Sequence, residues 1–232
     1  MSEKPVMVIT GTSKGLGKQL ASFYSNQGFL VFGCSRSNID YNIENYQHFT
    51  LDICDESEVK RMFTYIRKNF GRLDVLINNA GIASNNYVLL TSLKEAQEVL
   101  NTNFLGTFLF CREAIKLMKR KNFGRIVTFS SIHVPFATLG TSMYGASKAS
   151  LVQFSNVLAQ EVIKSGITVN LLELSVVRDS GMAEAITDVM RLSLLEQTAS
   201  GEELEMSDVT NVIDFFISHE NSKVTNQILS LG

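Results

Sequence analysis

The sequence predicts an α/β domain, built on a parallel sheet of about seven strands with helices on both faces. Three observations carry that prediction. Apolar runs of strand length lie at 6–10, 29–34, 48–51, 73–78, 125–129, 167–172 and 226–230, and helix-forming segments fall between them. The first run, Val6-Met7-Val8-Ile9-Thr10, leads into a loop holding Gly11, Gly15 and Gly17, at whose end a helix opens. The chain has 232 residues and 45% hydrophobic content, enough for one sizeable core. With two prolines and no Pro/Gly/Ser-rich linker, residues 1–232 are expected to form a single domain.

The glycine loop reads Gly11-Thr12-Ser13-Lys14-Gly15-Leu16-Gly17. Glycine lets backbone approach a phosphate closely, and a helix N-terminus favours negative charge. The Gly-x-x-x-Gly-x-Gly spacing differs from the commoner Gly-x-Gly-x-x-Gly dinucleotide fingerprint. A second stretch, Ser131 to Lys148, links a buried strand to a long helix from about Ser142 to Lys164. On that helix Tyr144 and Lys148 are i and i+4 and share a face. An ammonium beside a phenol favours the phenolate, so the pair is expected to pull the Tyr144 pKa down toward neutrality. A phenol tuned in this way exchanges protons at physiological pH.

Thr10 with Gly11, Gly15 and Gly17, then Asn78-Asn79-Ala80-Gly81, then Asn103, Ser131, Tyr144 and Lys148 follow one another in an order that resembles the classical short-chain dehydrogenase/reductases. The resemblance runs from Val6 to about Gly232. It implies a Rossmann-like doubly wound sheet, with nucleotide binding and catalysis in one domain. It implies a nicotinamide-dependent oxidoreductase that moves hydride between the cofactor and a carbonyl or secondary alcohol. In that scheme Tyr144 is the acid in reduction and the base in oxidation. Lys148 tunes Tyr144 and binds the nicotinamide ribose. Ser131 donates to the carbonyl oxygen, and Asn103 distorts its helix and supports a proton relay.

The remaining elements fall in order. The first helix is expected at 15–27, with Gly28 as its stop and with Leu16, Leu20, Phe23 and Tyr24 on the sheet side. The second strand ends at Ser35-Arg36-Ser37, with no acidic residue to take a ribose 2′-hydroxyl. Arg36 can hold a phosphate there, and Lys14 points the same way, so NADP(H) is expected over NAD(H). The resemblance places Asp52 and Ile53 against the adenine, and Asp52 also suits a helix cap. Asn79, Ala80 and Gly81 turn off the fourth strand against the cofactor. Ser84, Asn85 and Asn86 are expected as solvated loop residues at the substrate mouth. One long helix is expected over 93–121, and Asn103 inside it is locally unfavourable.

After the strand at 167–172 the chain departs from the family. Leu174-Ser175 replaces a Pro-Gly pair, and Asp179 stands where a threonine meets the cofactor. A carboxylate beside the diphosphate would be repelled. The loop is therefore expected to shift by one residue, so that Val177 and Ser180 meet the cofactor while Asp179 faces solvent or a cation such as Arg178 or Lys14. A substrate-covering segment follows at 182–207, with an amphipathic helix over 183–195 and an acidic loop at 201–205. The last helix is expected at 209–218.

Lys+Arg 21 against Asp+Glu 23 gives a net charge of −2, so neither nucleic acid nor a membrane surface is an expected partner. The basic run at Lys116, Lys119, Arg120 and Lys121 complements a helix C-terminus. No signal-type segment opens the sequence. Cys34, Cys54 and Cys111 lack metal spacing and suit a reducing cytoplasm, and no metal site is expected. His48 and His133 read as isolated. Phe104, Phe108, Phe110 and Leu117 put apolar groups on more than one helix face, which with the resemblance suggests a homotetramer or homodimer. Two other readings fit the same residues. One is a nucleotide-binding, reductase-like regulatory or partner subunit, which the altered 174–179 segment would suit. The other is an epimerase working through a transient ketone. The substrate is expected to be a small carbonyl or alcohol compound.

Overall fold

The structure, a computed structural model, describes residues 4–181 and 187–232. Its sheet has seven strands, all parallel, in the order β3-β2-β1-β4-β5-β6-β7. The strands are β1 (Val6–Thr10), β2 (Leu30–Ser35), β3 (Tyr46–Thr50), β4 (Val75–Asn78), β5 (Gly124–Ser131), β6 (Ile167–Leu174) and β7 (Ile228–Leu231). The order reverses direction between β1 and β4. Doubly wound sheets open a crevice at such a point, outside the carboxyl ends of the strands.

β1 shows why the central strands read as continuous apolar runs. All five of its residues are buried, and the four apolar ones alternate between two cores. Val6 and Val8 pack into a core with α2 (Glu56–Phe70), α4 (Thr107–Met118) and α6 (Ser142–Val162). Met7 and Ile9 pack into the other with α1 (Gly15–Asn26) and α8 (Met206–Ile217). Between those helices in sequence lie α3 (Leu93–Leu100), α5 (His133–Phe136) and α7 (Asp188–Leu195).

The helix expected over 93–121 is divided. α3 and α4 are joined by a π-helical segment, Asn101–Gly106, and a single 3-10 turn, Lys119–Lys121, closes the run. A π segment inserts an extra residue per turn and is enriched at functional sites. Here it carries Asn103. β6 is two residues longer than expected. With leucine at 174 in place of proline the backbone keeps its N–H, and Leu174 stays paired with both Ser131 and Leu231. α7 begins at Asp188, where Thr187 caps it by accepting from the Met190 N–H at 3.3 Å. The first part of the helix expected over 183–195, residues 183–186, lies outside the described residues. α8 starts at Met206, three residues earlier than expected, because Glu205 and Asp208 form a capping box.

Candidate active site

The carboxyl ends of β1, β2, β4, β5 and β6 border one cleft of about 630 Å³. Its floor is the glycine loop. Gly17 is there because a Cβ would stand 2.1 Å from the Gly11 carbonyl oxygen, which is backbone and cannot yield. Gly15 lies beneath the 180–181 chain, where a Cβ would stand 2.6 Å from the Gly181 nitrogen. α1 opens from this loop with no side chain capping its first N–H groups. Gly11, Ser13, Lys14, Gly15, Leu16 and Gly17 line the cleft. Thr12 does not; it is fully buried and faces β2 and β3.

Arg36, Asp52 and Ile53 line one end of the cleft, together with Ser35 and Ser37. Asn79, Ala80 and Gly81 line its middle. That turn is tied down by Thr10, whose Oγ1 accepts from the N–H groups of Asn79 at 3.1 Å and Ala80 at 2.9 Å. The Asn79 amide donates to the carbonyls of Thr10 and Gly11, at 2.8 and 3.1 Å. The motif places Thr10 here, but only the fold shows that its hydroxyl anchors the turn.

Ser131, Tyr144 and Lys148 line the other end of the cleft and are all buried. Ser131 ends β5, and its partners stand one turn apart on α6. The expected lowering of the Tyr144 pKa is not what the structure shows. Burial pushes the phenol above its ordinary range, and a hydrogen bond from Ser131 opposes the rise. Lys148 Nζ donates to the Phe129 carbonyl at 2.7 Å and lies 5.9 Å from the centre of the Tyr144 ring. Burial lowers the lysine to about 8. Desolvation of both groups outweighs the attraction between the ammonium and the phenolate.

Asn103 is fully buried and lies behind the cleft rather than in it. Its Oδ1 accepts from the Ile82 N–H at 2.8 Å, and its Nδ2 donates to the Ile82 carbonyl at 3.0 Å and to Ser147 Oγ at 2.9 Å. It therefore joins the loop after β4 to α6. A Cβ on Gly81 would meet Asn103 Oδ1 at 3.2 Å and Lys148 Nζ at 3.6 Å, which places all three in one cluster. Ser147 carries no motif signal and is found only in space. Ser84, expected to be solvated, is instead buried and donates to Glu95 at 2.8 Å, while Asn86, exposed as expected, donates to the same carboxylate at 3.0 Å and helps brace the mouth. His133 lines the cleft, edge-on to Tyr144 at 5.7 Å between ring centres.

Val177 and Ser180 line the cleft, while Asp179 is exposed outside it. Asp179 has φ +54°, and this left-handed residue turns the chain so that Ser180 faces inward. Of the courses expected for Asp179, it takes the one that faces solvent. Arg178 bridges Glu203 at 3.3 Å and also pairs with Glu205. Glu203 is shared with Arg191 of α7 at 2.9 Å, so the acidic loop fastens the covering segment. Among the described residues no group of His, Cys, Asp and Glu is placed to hold a metal ion, and no helix is long and apolar enough to cross a membrane.

Residues 5–190 match the family described as short chain dehydrogenase. The 3-oxoacyl-[acyl-carrier-protein] reductase FabG of Escherichia coli is 30% identical over 236 residues, covering 99% of this chain and 96% of the relative. The enzyme of the same name from Vibrio cholerae is 27% identical with the same coverage. Among solved structures, ElxO with NADP bound superposes with a TM-score of 0.89 at 29% identity, over 98% of this chain and 97% of that one. An actinorhodin polyketide ketoreductase with NADPH has a TM-score of 0.88 at 23% identity, over 98% and 95%, and shares the fold. The family match and the FabG relative agree with the motif order, and the chain belongs to the short-chain dehydrogenase/reductase family.

Proposed function

We propose that this chain is an NADP(H)-dependent oxidoreductase acting on a carbonyl or secondary alcohol. The observation that carries the reading is the meeting of Ser131, Tyr144 and Lys148 at one end of a cleft whose floor is the glycine loop and whose other end holds Arg36. The residues present fit a dinucleotide phosphate. The α1 N-terminus is uncapped toward the cleft, and glycine backbone replaces side chains where a close approach is needed. Lys14 and Arg36 line the phosphate side. The bound nicotinamide would supply or accept the hydride.

The chain's own groups then have distinct tasks. Tyr144 Oη gives its proton to the carbonyl oxygen in reduction and takes it back in oxidation. Its raised pKa keeps the phenol protonated at neutral pH, which suits the acid role. Ser131 Oγ donates to the same oxygen as negative charge develops there. Lys148, still largely protonated at pH 7 with a pKa of about 8, supplies positive charge and a route for proton return. Asn103, through Ile82 and Ser147, holds the loop and helix that frame these groups. Gly11, Ser13, Gly15, Leu16, Gly17, Asn79, Ala80, Gly81, Asp52, Ile53, Val177 and Ser180 form the nucleotide wall.

NADP(H) is favoured over NAD(H) by Arg36 and by relatives solved with that cofactor. Arg36→Asp is expected to weaken NADPH and turn the preference toward NADH. Equal affinity of the wild type for the two cofactors, read by fluorescence titration, would contradict the assignment. The names of the relatives point to a 3-oxoacyl thioester as the substrate to try first. Leu105, Phe108 and Val157 are exposed on the π segment, α4 and α6, and suit a contact with a second copy in a homodimer or homotetramer. The whole reading is tested by carbonyl-dependent oxidation of NADPH by the purified chain.

A further inference from the structure

β3 carries two polar rings, Tyr46 and His48, that do not line the cleft. They are i and i+2 on a strand, so they point to one side. That side faces Thr12, the buried threonine of the glycine loop. Thr12 Oγ1 lies 2.7 Å from Tyr46 Oη, and Tyr46 Oη lies 2.7 Å from His48 Nδ1. On its far side His48 Nε2 lies 3.2 Å from the Ser37 carbonyl oxygen and 3.1 Å from Ser35 Oγ.

The direction of every bond follows from what each group can donate. A carbonyl only accepts, so His48 Nε2 carries a hydrogen. Ser35 Oγ donates its own hydrogen to the Ser37 carbonyl at 2.8 Å, so toward His48 it also accepts. In the neutral imidazole Nδ1 is then bare and accepts from the Tyr46 hydroxyl. The Tyr46 oxygen in turn accepts from Thr12. Burial lowers the His48 pKa, against a smaller opposing pull from the Ser37 carbonyl, so the ring is neutral at pH 7. One directed chain runs from Thr12 through Tyr46 and His48 to Ser37.

Room has been made for this chain. Gly33 sits in the middle of β2, where glycine normally weakens a strand. A Cβ there would stand 2.2 Å from Tyr46 Oη and 2.4 Å from Thr12 Oγ1. Tyr41 closes the cluster from outside: its hydroxyl donates to the Thr12 carbonyl, and the Lys18 ammonium lies 4.6 Å over its ring.

The two ends of the chain are two separate walls of the nucleotide cleft. Thr12 belongs to the glycine loop. Ser35 and Ser37 flank Arg36, the residue assigned to the 2′-phosphate. We propose that His48, acting with Tyr46, is a positioning residue that sets the Ser35–Ser37 turn against the glycine loop and so determines discrimination between NADP(H) and NAD(H). The proposal rests on the NADP(H) reading above. His48 touches no ligand; it holds the turn that presents Arg36.

Calorimetric titration with NADP⁺ and NAD⁺ tests this without turnover. The proteins are the wild type, His48→Phe, Tyr46→Phe and His48→Gln, at pH 7. His48→Phe keeps an aromatic ring of similar shape and removes the bonds to Tyr46, Ser37 and Ser35; it is expected to weaken NADP⁺ roughly tenfold and to leave NAD⁺ within a factor of about two. Tyr46→Phe is expected to shift the NADP⁺/NAD⁺ ratio the same way by a smaller amount. His48→Gln, whose amide can still donate toward Ser37, is expected to recover most of the ratio. Equal weakening of both nucleotides, or an unchanged ratio in folded His48→Phe, overturns the proposal by showing a general structural role. If His48→Phe does not fold, Tyr46→Phe decides, because it removes one oxygen and keeps the ring. A wild type that binds both nucleotides equally instead overturns the cofactor reading, and this proposal with it.

Discussion

Tyr144→Phe is expected to keep nucleotide binding and to lose carbonyl reduction by ~10²–10⁴-fold, the range that a positioned proton donor contributes. In free energy that is ~3–5 kcal/mol of transition-state stabilisation. The change removes one oxygen from a residue 6% exposed and keeps the ring against His133, so the fold has little reason to respond. The loss should appear in kcat with KM for the nucleotide nearly unchanged. The pH dependence has a definite sign. Burial holds the phenol above its ordinary pKa, so reduction, which needs the protonated form, should not fall as pH rises through the neutral range. Oxidation needs the phenolate and should accelerate with rising pH. A variant that retains wild-type kcat would remove Tyr144 from the chemistry.

Lys148→Met is expected to abolish most turnover and yet to stabilise the free protein at neutral pH. Lys148 is 3% exposed, and burial lowers it from 10.5 to about 8. Folding therefore works against the ammonium. One unit of pKa separation is worth ~1.4 kcal/mol, which makes the penalty on the order of 3 kcal/mol. The variant leaves the Phe129 carbonyl without its donor, a loss of ~1 kcal/mol. The net gain at pH 7 is then ~2 kcal/mol. The penalty is fully present below about pH 8, and it fades toward pH 10.5, where the unfolded lysine also loses its proton. Wild-type stability should therefore gain on the variant as pH rises through that window. Cys34 and Cys111, pushed up to about 12 by burial, act in the opposite sense above their ordinary pKa of 9.0. They are common to both proteins and cancel in the difference. Denaturant midpoints at pH 7 and pH 9.5 would show it, and a variant less stable than wild type at pH 7 would contradict it.

The fold was legible because its signals are local. Apolar runs, glycine turns and helix stops each depend on a few neighbouring residues, and the family order of Gly11, Asn79, Asn103, Ser131, Tyr144 and Lys148 added the topology. Asn103 read correctly as an intrusion in a helix, since an amide side chain competes with helix bonds. Its partners Ile82 and Ser147 did not, because they come from other parts of the chain. The electrostatics of Tyr144 were read with the wrong sign for the free protein. Desolvation depends on burial, and burial is set by the whole fold. His48 was read as isolated for the same reason. Its neighbours Thr12, Ser35 and Ser37 belong to the loop after β1, to the end of β2 and to the turn beyond it, and only sheet pairing brings them to β3. A glycine at 33, mid-strand, was the one local sign that something fills the space beside it. Asp179 was read correctly as a residue that must leave the cleft, because the argument rested on charge alone. It faces solvent rather than Arg178, which is held by Glu203.

The most direct measurement follows the absorbance of reduced nicotinamide while the purified chain is mixed with NADPH and a panel of carbonyl compounds, beginning with a 3-oxoacyl thioester. The account predicts carbonyl-dependent oxidation of NADPH, slower with NADH, and abolished in Tyr144→Phe. NADPH that binds tightly but is consumed with no carbonyl in the panel would contradict it and favour a nucleotide-binding partner subunit.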